Sequence, residues 1–479
     1  MTGGRSSAPA RELARALSLR DAIALVVGTV IGTGVFFKAA PMAQLLGSPL
    51  LVLLAWIAAG LLSLAGALTY AELGAMFPSA GGEYVYLREA YGDFPAFMFG
   101  WTNFTVITST GLAALGTGFA AFLSALVPVN AVWARHDFSI FGQSVHWTFG
   151  AQQIVALVAI LAFSLINTAR VSTGGSTQSL LAAAKVLGIA IIVLGAFFLS
   201  RTSSASNLSS AAANAVTGGN PATISAFGAA MIAALWGYQG WSNMAMVSGE
   251  VRNPERNVPR GLIIGVAIII VIYVVTNFSY FYALPFNEVV TSNSTAYRNA
   301  GPVAAKAAQS FLGGTGGRIV SVVFLVSVMG AINGIVLMNA RVPYAMARDG
   351  LFFRGMSELN AERVPVRAIW IGSLIACVLA LSGTFDQLTT ASVFAVWIFF
   401  SLTASAIFVL RRKRPELERP YRVVGYPILP ALFVLVALWL LINTLRTNPV
   451  ESAAGLLIIS IGLPFFLYFR KTSGRRRYE

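Results

Sequence analysis

Cysteine is nearly missing. A single one, Cys377, stands among 479 residues, so no internal disulfide can form. It lies in the apolar run 370–381, where a thiol serves as a small core side chain. Histidine is as scarce: His136 and His146 share one polar stretch, with no cysteine or acidic cluster beside them. No metal site is expected there, and nothing in the chain implies a cofactor. Charge is thin, with 11% charged residues against 57% hydrophobic, where soluble domains carry about 25% and about 45–50%. That balance excludes a soluble domain and a disordered chain. An apolar run in front of a cleavage site is also lacking: the first twenty residues carry Arg5, Arg11, Arg15 and Arg20 instead. The first hydrophobic stretch is therefore read as resident rather than as a cleaved signal.

What is present is a formal net charge of +15 and long apolar runs. A basic balance fits either nucleic acid or an anionic membrane surface. A membrane-spanning helix needs about 20 mostly apolar residues, and twelve such stretches can be read. They run 21–45, 50–73, 95–126, 151–168, 178–200, 222–248, 261–284, 317–341, 368–383, 388–410, 427–445 and 452–470. Backbone groups in lipid must be satisfied within each segment, so helices are expected. With the N-terminus inside, 25 of the 33 basic residues fall on the inner face and seven fall on the outer; Lys185 remains, inside a span. This asymmetry predicts both termini in the cytoplasm and no nucleic-acid role. The longest outward connections, 127–150, 201–221 and 285–316, are rich in Ser, Ala, Gly and Asn. None is long enough for a catalytic domain with its own core.

Two spans carry glycine clusters near their middles. Span 1 reads Gly28-Thr29-Val30-Ile31-Gly32-Thr33-Gly34, and span 6 reads Trp236-Gly237-Tyr238-Gln239-Gly240-Trp241. Glycine weakens a helix by about 1 kcal/mol relative to alanine. Close helix packing accounts equally well for Gly28 and Gly32, spaced at four; the run Gly32-Thr33-Gly34 is better explained by broken backbone. Paired interrupted spans in matching positions point to a midplane binding site in a transporter with repeats. Half-helix ends offer N–H groups to an anion and carbonyls to a cation. A zwitterion such as an α-amino acid suits both.

The breaks and their flanks resemble the amino acid–polyamine–organocation superfamily, and within it the L-type amino acid transporter family. The likeness runs from Val27–Phe36 through Tyr70-Ala71-Glu72-Leu73-Gly74, Pro78–Tyr84 and Leu87–Gly92. It continues in Gly240-Trp241, Gly249–Glu255, Tyr273–Asn277, Asn339-Ala340-Arg341 and Ala347–Gly350. The resemblance implies an all-α integral membrane protein with 12 transmembrane helices and a 5+5 inverted-repeat, leucine-transporter-like core with discontinuous helices 1 and 6. The corresponding division is a cytoplasmic segment 1–20, a first repeat 21–200, a second repeat 222–410, two further helices within 427–470 and a tail 471–479. It implies alternating access, with the substrate carboxylate at Ile31, Gly32, Thr33 and Gly34. The ammonium would meet carbonyls of the span 6 break, in the stretch Trp236, Gly237, Tyr238, Gln239 and Gly240, and of the end of the first half of span 1. Trp236 matches an aromatic gate, and Tyr273 matches a tyrosine bracing the unwound part of span 1. From packing alone, both would read as core aromatics.

Lys185 costs roughly 2.5–3.5 kcal/mol at mid-span. Either it snorkels to the inner edge, roughly 10 Å away at 1.5 Å per residue, or its ammonium stands where sodium-coupled relatives bind a cation between spans 1 and 8. The resemblance favours the second, since matching members carry a lysine here and are sodium-independent. Span 8 agrees: around Ser327 it reads Val328-Met329-Gly330-Ala331, without the hydroxyl pair expected of a sodium site. The expectation is a sodium-independent amino acid exchanger in the cell membrane. A cationic amino acid or polyamine antiporter and a proton-coupled permease are the alternatives. No carboxylate lies at pocket depth in spans 1, 3, 6, 8 or 10 to favour a cationic substrate. A channel would need a continuous polar pore, and a membrane enzyme a catalytic cluster at depth; neither pattern is present, so no enzyme is expected. The loop 127–150 lacks the cysteine through which animal L-type carriers bond a glycoprotein. No disulfide-linked partner is implied, as in prokaryotic members that act alone. Gln239 replaces the small residue many relatives have there.

Overall fold

A computed structural model of the chain describes residues 15, 17–79, 81–124, 126–140, 143–169, 171–209, 224–294, 296–297, 300–382 and 385–476. Most of the N-terminal segment 1–20, part of the connection 201–221 and the end of the tail lie outside the described residues. So do Arg5, Arg11, Arg170, Arg298 and Arg477.

In the first half, α1 (Leu19–Val30), α2 (Gly34–Phe37) and α3 (Ala39–Leu46) precede the long α4 (Pro49–Met76), then α5 (Glu83–Tyr91), α6 (Asp93–Thr102) and α7 (Thr108–Leu123). A π-helical stretch, Asn103–Ile107, joins α6 to α7. After β1 (Val132–Ile140) and β2 (Gln143–Gly150) come α8 (Ala151–Ala169), α9 (Val171–Phe198) and α10 (Ser206–Ser209). The second half holds α11 (Ile224–Tyr238), α12 (Asn243–Met246), α13 (Pro254–Ala283), α14 (Phe286–Val290), α15 (Val303–Leu312), α16 (Gly314–Asn339) and α17 (Arg341–Arg348). Last are α18 (Val366–Ser382), α19 (Phe385–Lys413), α20 (Ile428–Thr447) and α21 (Pro449–Arg476).

Local chemistry sets the ends of these helices. Ser18 caps α1, exchanging hydrogen bonds with Asp21 in a reciprocal box that satisfies two otherwise orphaned donors. Gly47 closes α3 at φ 62°, and Pro49 opens α4, the positions that favour glycine and proline. Along α13, Val258, Leu262, Ile269 and Tyr273 are buried, while Ile264, Ile268, Val271 and Val275 are exposed. Both faces of this helix are apolar, which is the pattern of a helix covered by protein on one side and lipid on the other. Among the described residues ten helical stretches are long and apolar enough to cross a membrane, and the protein is a multi-pass membrane protein. The expected spans 222–248 and 368–383 appear as α11 with α12, and as α18; α11 has 15 residues and α18 has 17.

Small residues let the helices approach. A Cβ on Gly265 of α13 would stand 2.6 Å from Val26 of α1, and one on Gly188 of α9 would meet Val323 of α16. Two of the longest connections contain regular elements that their composition does not indicate. Strands β1 and β2 pair antiparallel, with Asp137 opposite His146, and Trp147 Nε1 donates to Leu381 O at 2.6 Å. The connection 285–316 holds α14 and α15 among its described residues.

Candidate functional site

The first break follows Val30. Ile31 turns extended (ψ 94°) and its N–H still reaches Val27 O at 3.0 Å, so α1 ends on that bond. The chain becomes helical again at Gly34 and continues through Lys38, itself in αR conformation, into α3. The second break follows Tyr238, where Gly240 adopts φ +118°, and helix resumes at Asn243. This φ is open to glycine and strained for other residues.

The two breaks touch backbone to backbone. A Cβ on Gly34 would meet Gly237 Cα and stand 2.9 Å from Gly237 N. Trp236 Nε1 donates to Thr33 Oγ1 at 3.0 Å across the same contact. The hydroxyl of Tyr273, from α13, lies 2.9 Å from both Val30 O and Gly237 O. One buried donor therefore faces a carbonyl freed at each break, where a lone carbonyl would otherwise be costly.

Lys185 is fully buried on α9. Its Nζ donates to Gly28 O and Ile31 O, both at 2.7 Å, and Ser327 Oγ on α16 donates to Ile31 O at 3.2 Å. The ammonium thus caps the last turn of α1, where a cation complements the negative helix end. It does not extend to the inner edge. Gln178 and Ala182, at helical spacing on the same face of α9, border Gly28: a Cβ there would stand 2.7 Å from Gln178 Nε2 and 3.3 Å from Ala182 Cβ.

A small cavity opens beside the breaks. Thr29, Gly32, Thr33 and Gly34 line it from span 1, and Trp236, Gln239 and Gly240 line it from span 6. Opposite stand Asn103, Ile107, Thr108, Gly111 and Leu115 from span 3, with Ile335 from α16 and Val396 from α19. Its lining sets sparse polar groups on apolar walls, the pattern of a site for a small organic molecule.

The amino acid permease family model matches residues 17–463. The chain belongs to that family. Within it, the chain is 32% identical over 462 residues to the serine/threonine exchanger SteT of Bacillus subtilis (strain 168), covering 96% of this chain and 98% of that one. It is 30% identical over 461 residues to the human b(0,+)-type amino acid transporter 1, covering 95% and 88%. It is 27% identical over 470 residues to the human cystine/glutamate transporter, covering 97% and 88%. The likeness to the L-type family read from the motifs agrees with this membership.

The residues singled out from the permease's sequence gather in one place, with differences in detail. Ile31, Gly237 and Tyr238 do not line the cavity. Ile31 faces Lys185 through its carbonyl, Gly237 meets Gly34, and Tyr238 turns away to donate to Trp56 O at 3.1 Å. The span 3 wall was not foreseen; its signal would have been the polar pair Asn103 and Thr108 within an apolar run. Asn103 Nδ2 donates to Asn339 Oδ1 at 3.1 Å at the start of the π-helical stretch, a distortion that recurs at functional sites. Glu83 is not singled out by a search for carboxylates within spans, because it lies outside every span. It enters the cavity from α5, in the connection between spans 2 and 3.

Further ion pairs join elements at the end of the bundle where α1 begins. Arg341 pairs with Glu250 at 3.2 Å, both buried; Arg88 meets Asp349 at 2.6 Å; and Arg411 holds Glu72 through two bonds of 2.7 and 2.9 Å. Glu72 Oε2 also accepts from Val423 N at 2.7 Å.

Proposed function

We propose that this permease is a sodium-independent carrier that exchanges L-amino acids across the cell membrane by alternating access, without enzymatic activity. The observation carrying this reading is the contact between the two breaks beside one cavity, with Lys185 capping the first. Residues 32–34 present N–H groups at the start of α2, which suits the substrate carboxylate. Thr29 and Gly240 offer carbonyls nearby for the ammonium. Trp236, bonded to Thr33, acts as the gate over the bound molecule, and Tyr273 braces the unwound part of span 1. The Lys185 ammonium stands on the carbonyls that a bound sodium ion would otherwise need. Relatives named as an exchanger and as amino acid transporters support the direction of this reading.

The same proposal takes twelve spans in a 5+5 arrangement, 21–200 and 222–410, with two further helices in 427–470. Segment 1–20 and tail 471–479 lie on the cytoplasmic side. The charge asymmetry supports that orientation. No disulfide-linked partner is assigned.

The test is counterflow in proteoliposomes over the twenty amino acids and putrescine, with and without sodium. Exchange of at least one amino acid, unaffected by replacing sodium with choline, is expected. A steep sodium requirement would sink the role given to Lys185, and binding without flux would indicate a receptor.

A further inference from the structure

Glu83 is the one ionisable side chain among the described residues that line the cavity. It is 1% exposed, and its Oε1 has no hydrogen-bond partner among the described residues. The backbone directs it inward. Gly82 adopts φ +50°, and a Cβ there would stand 2.9 Å from the backbone of Ala245 and Met246; Gly81 N donates to Met246 O at 3.3 Å. The Gly81-Gly82 pair thus presses the chain against α12, so the first residue of α5 turns into the cavity.

The groups around this carboxylate come from four elements. Tyr70 on α4 and Ser242 between α11 and α12 stand within hydrogen-bonding range; Tyr86 on α5 and Thr403 on α19, beside Tyr70, complete the surround. None is a cation. Arg88, on the same helix, is taken up by Asp93 and Asp349. Burial accordingly pushes the Glu83 carboxyl up to about 7. An ionised carboxylate in such a place is costly until an opposite charge meets it. On the reading above, the substrate's own ammonium is held by carbonyls at the breaks. The charge left to meet Glu83 is then one on the substrate's side chain.

We propose that Glu83 is the specificity-determining residue of this cavity and pairs with a cationic side chain, so that dibasic amino acids such as lysine and ornithine are carried. This rests on the carrier reading. Lysine and norleucine serve as probes, since they differ by the terminal ammonium. Counterflow of each, labelled, is measured in proteoliposomes of the wild type, Glu83→Gln and Glu83→Asp. Measurements are made one unit above and one unit below the carboxyl's value of about 7. In the wild type, the lysine-to-norleucine flux ratio falls on the acid side, as protonation removes the partner charge. In Glu83→Gln the ratio drops about tenfold or more, the loss of a charged hydrogen bond, and its pH dependence disappears; Glu83→Asp keeps part of both. A wild type that moves norleucine but not lysine overturns the proposal, as does a Glu83→Gln that slows both probes equally. Should Glu83→Gln not fold, a wild-type ratio that is flat across the two pH values overturns it. Failure of the carrier reading is distinct: no amino acid of the full panel would then move.

Discussion

Replacing Lys185 by methionine separates a transport role from a structural one. The ammonium donates to Gly28 O and Ile31 O, both at 2.7 Å. Removing it strands Gly28 O at a cost of about 1–3 kcal/mol and leaves Ile31 O only its longer bond from Ser327 Oγ, at 3.2 Å. Relief from placing an ammonium in the membrane returns about 2.5–3.5 kcal/mol. The terms nearly cancel, so Lys185→Met should shift the melting midpoint in detergent by only a few degrees. Exchange, by contrast, should fall by about a hundredfold or more, the kinetic equivalent of about 3 kcal/mol, because Ile31 and the end of α1 lose the cap that fixes the first break. Lys185→Arg should fail as well, because a planar guanidinium does not reproduce the two 2.7 Å bonds of the compact ammonium to Gly28 O and Ile31 O. The assay is counterflow in proteoliposomes alongside thermal unfolding of the same preparation. Exchange at half the wild-type rate or better in a folded Lys185→Met would refute the reasoning. Loss of exchange that merely tracks loss of fold would reduce Lys185 to a packing element.

Gly34→Ala forces its methyl against the backbone of Gly237, whereas the nearest atoms to a Gly32→Ala methyl stand at ordinary contact distance, Leu115 at 3.6 Å and Ala331 and Val30 O at 3.8 Å. Overpacking at the first site costs about 1–3 kcal/mol, so Gly34→Ala should lose exchange while Gly32→Ala keeps most of it; equal effects in counterflow would contradict the contact. Tyr273→Phe keeps its ring against Trp56 at 5.4 Å but removes the donor shared by Val30 O and Gly237 O. A drop of about tenfold in exchange, matching a hydrogen bond of about 1.4 kcal/mol, is expected with little change in melting. Glu250→Gln leaves the Arg341 guanidinium buried without its counter-charge and should destabilise by about 3–5 kcal/mol. A denaturation midpoint equal to that of the wild type would show that the pair contributes nothing.

Helix positions were legible because length and apolarity in lipid leave few choices. The breaks were legible because glycine has few other uses at mid-span: Gly32-Thr33-Gly34 and Gly240 lie at them. Gly28, which packing and broken backbone explained equally well, faces Gln178 and Ala182 across a helix contact. Packing explains it, and even an alanine there must displace Gln178. Lys185 had two readings because distance to a membrane edge says nothing about which neighbour a helix face meets. The phase of Gln178, Ala182 and Lys185 carried that information once α1 was known to be the neighbour. The pairing of β1 with β2 was hidden in a composition that reads as loop. Glu83 was hidden by its address outside every span; its inward turn depends on the positive φ of Gly81 and Gly82, which apolar periodicity does not register.

One small feature ties the two broken spans together at their base. Leu17, just before α1, pairs with Val251 in a parallel bridge: Leu17 N donates to Glu250 O at 2.9 Å, and Arg252 N donates to Leu17 O at 2.8 Å. The seam is made of main chain, so no side-chain truncation opens it, and an alanine scan would pass over it. Only a residue without an N–H, a proline at position 17 or 252, removes a stitch. Any movement that uncovers the cavity at this end must either carry both spans as one lever or unzip this seam first.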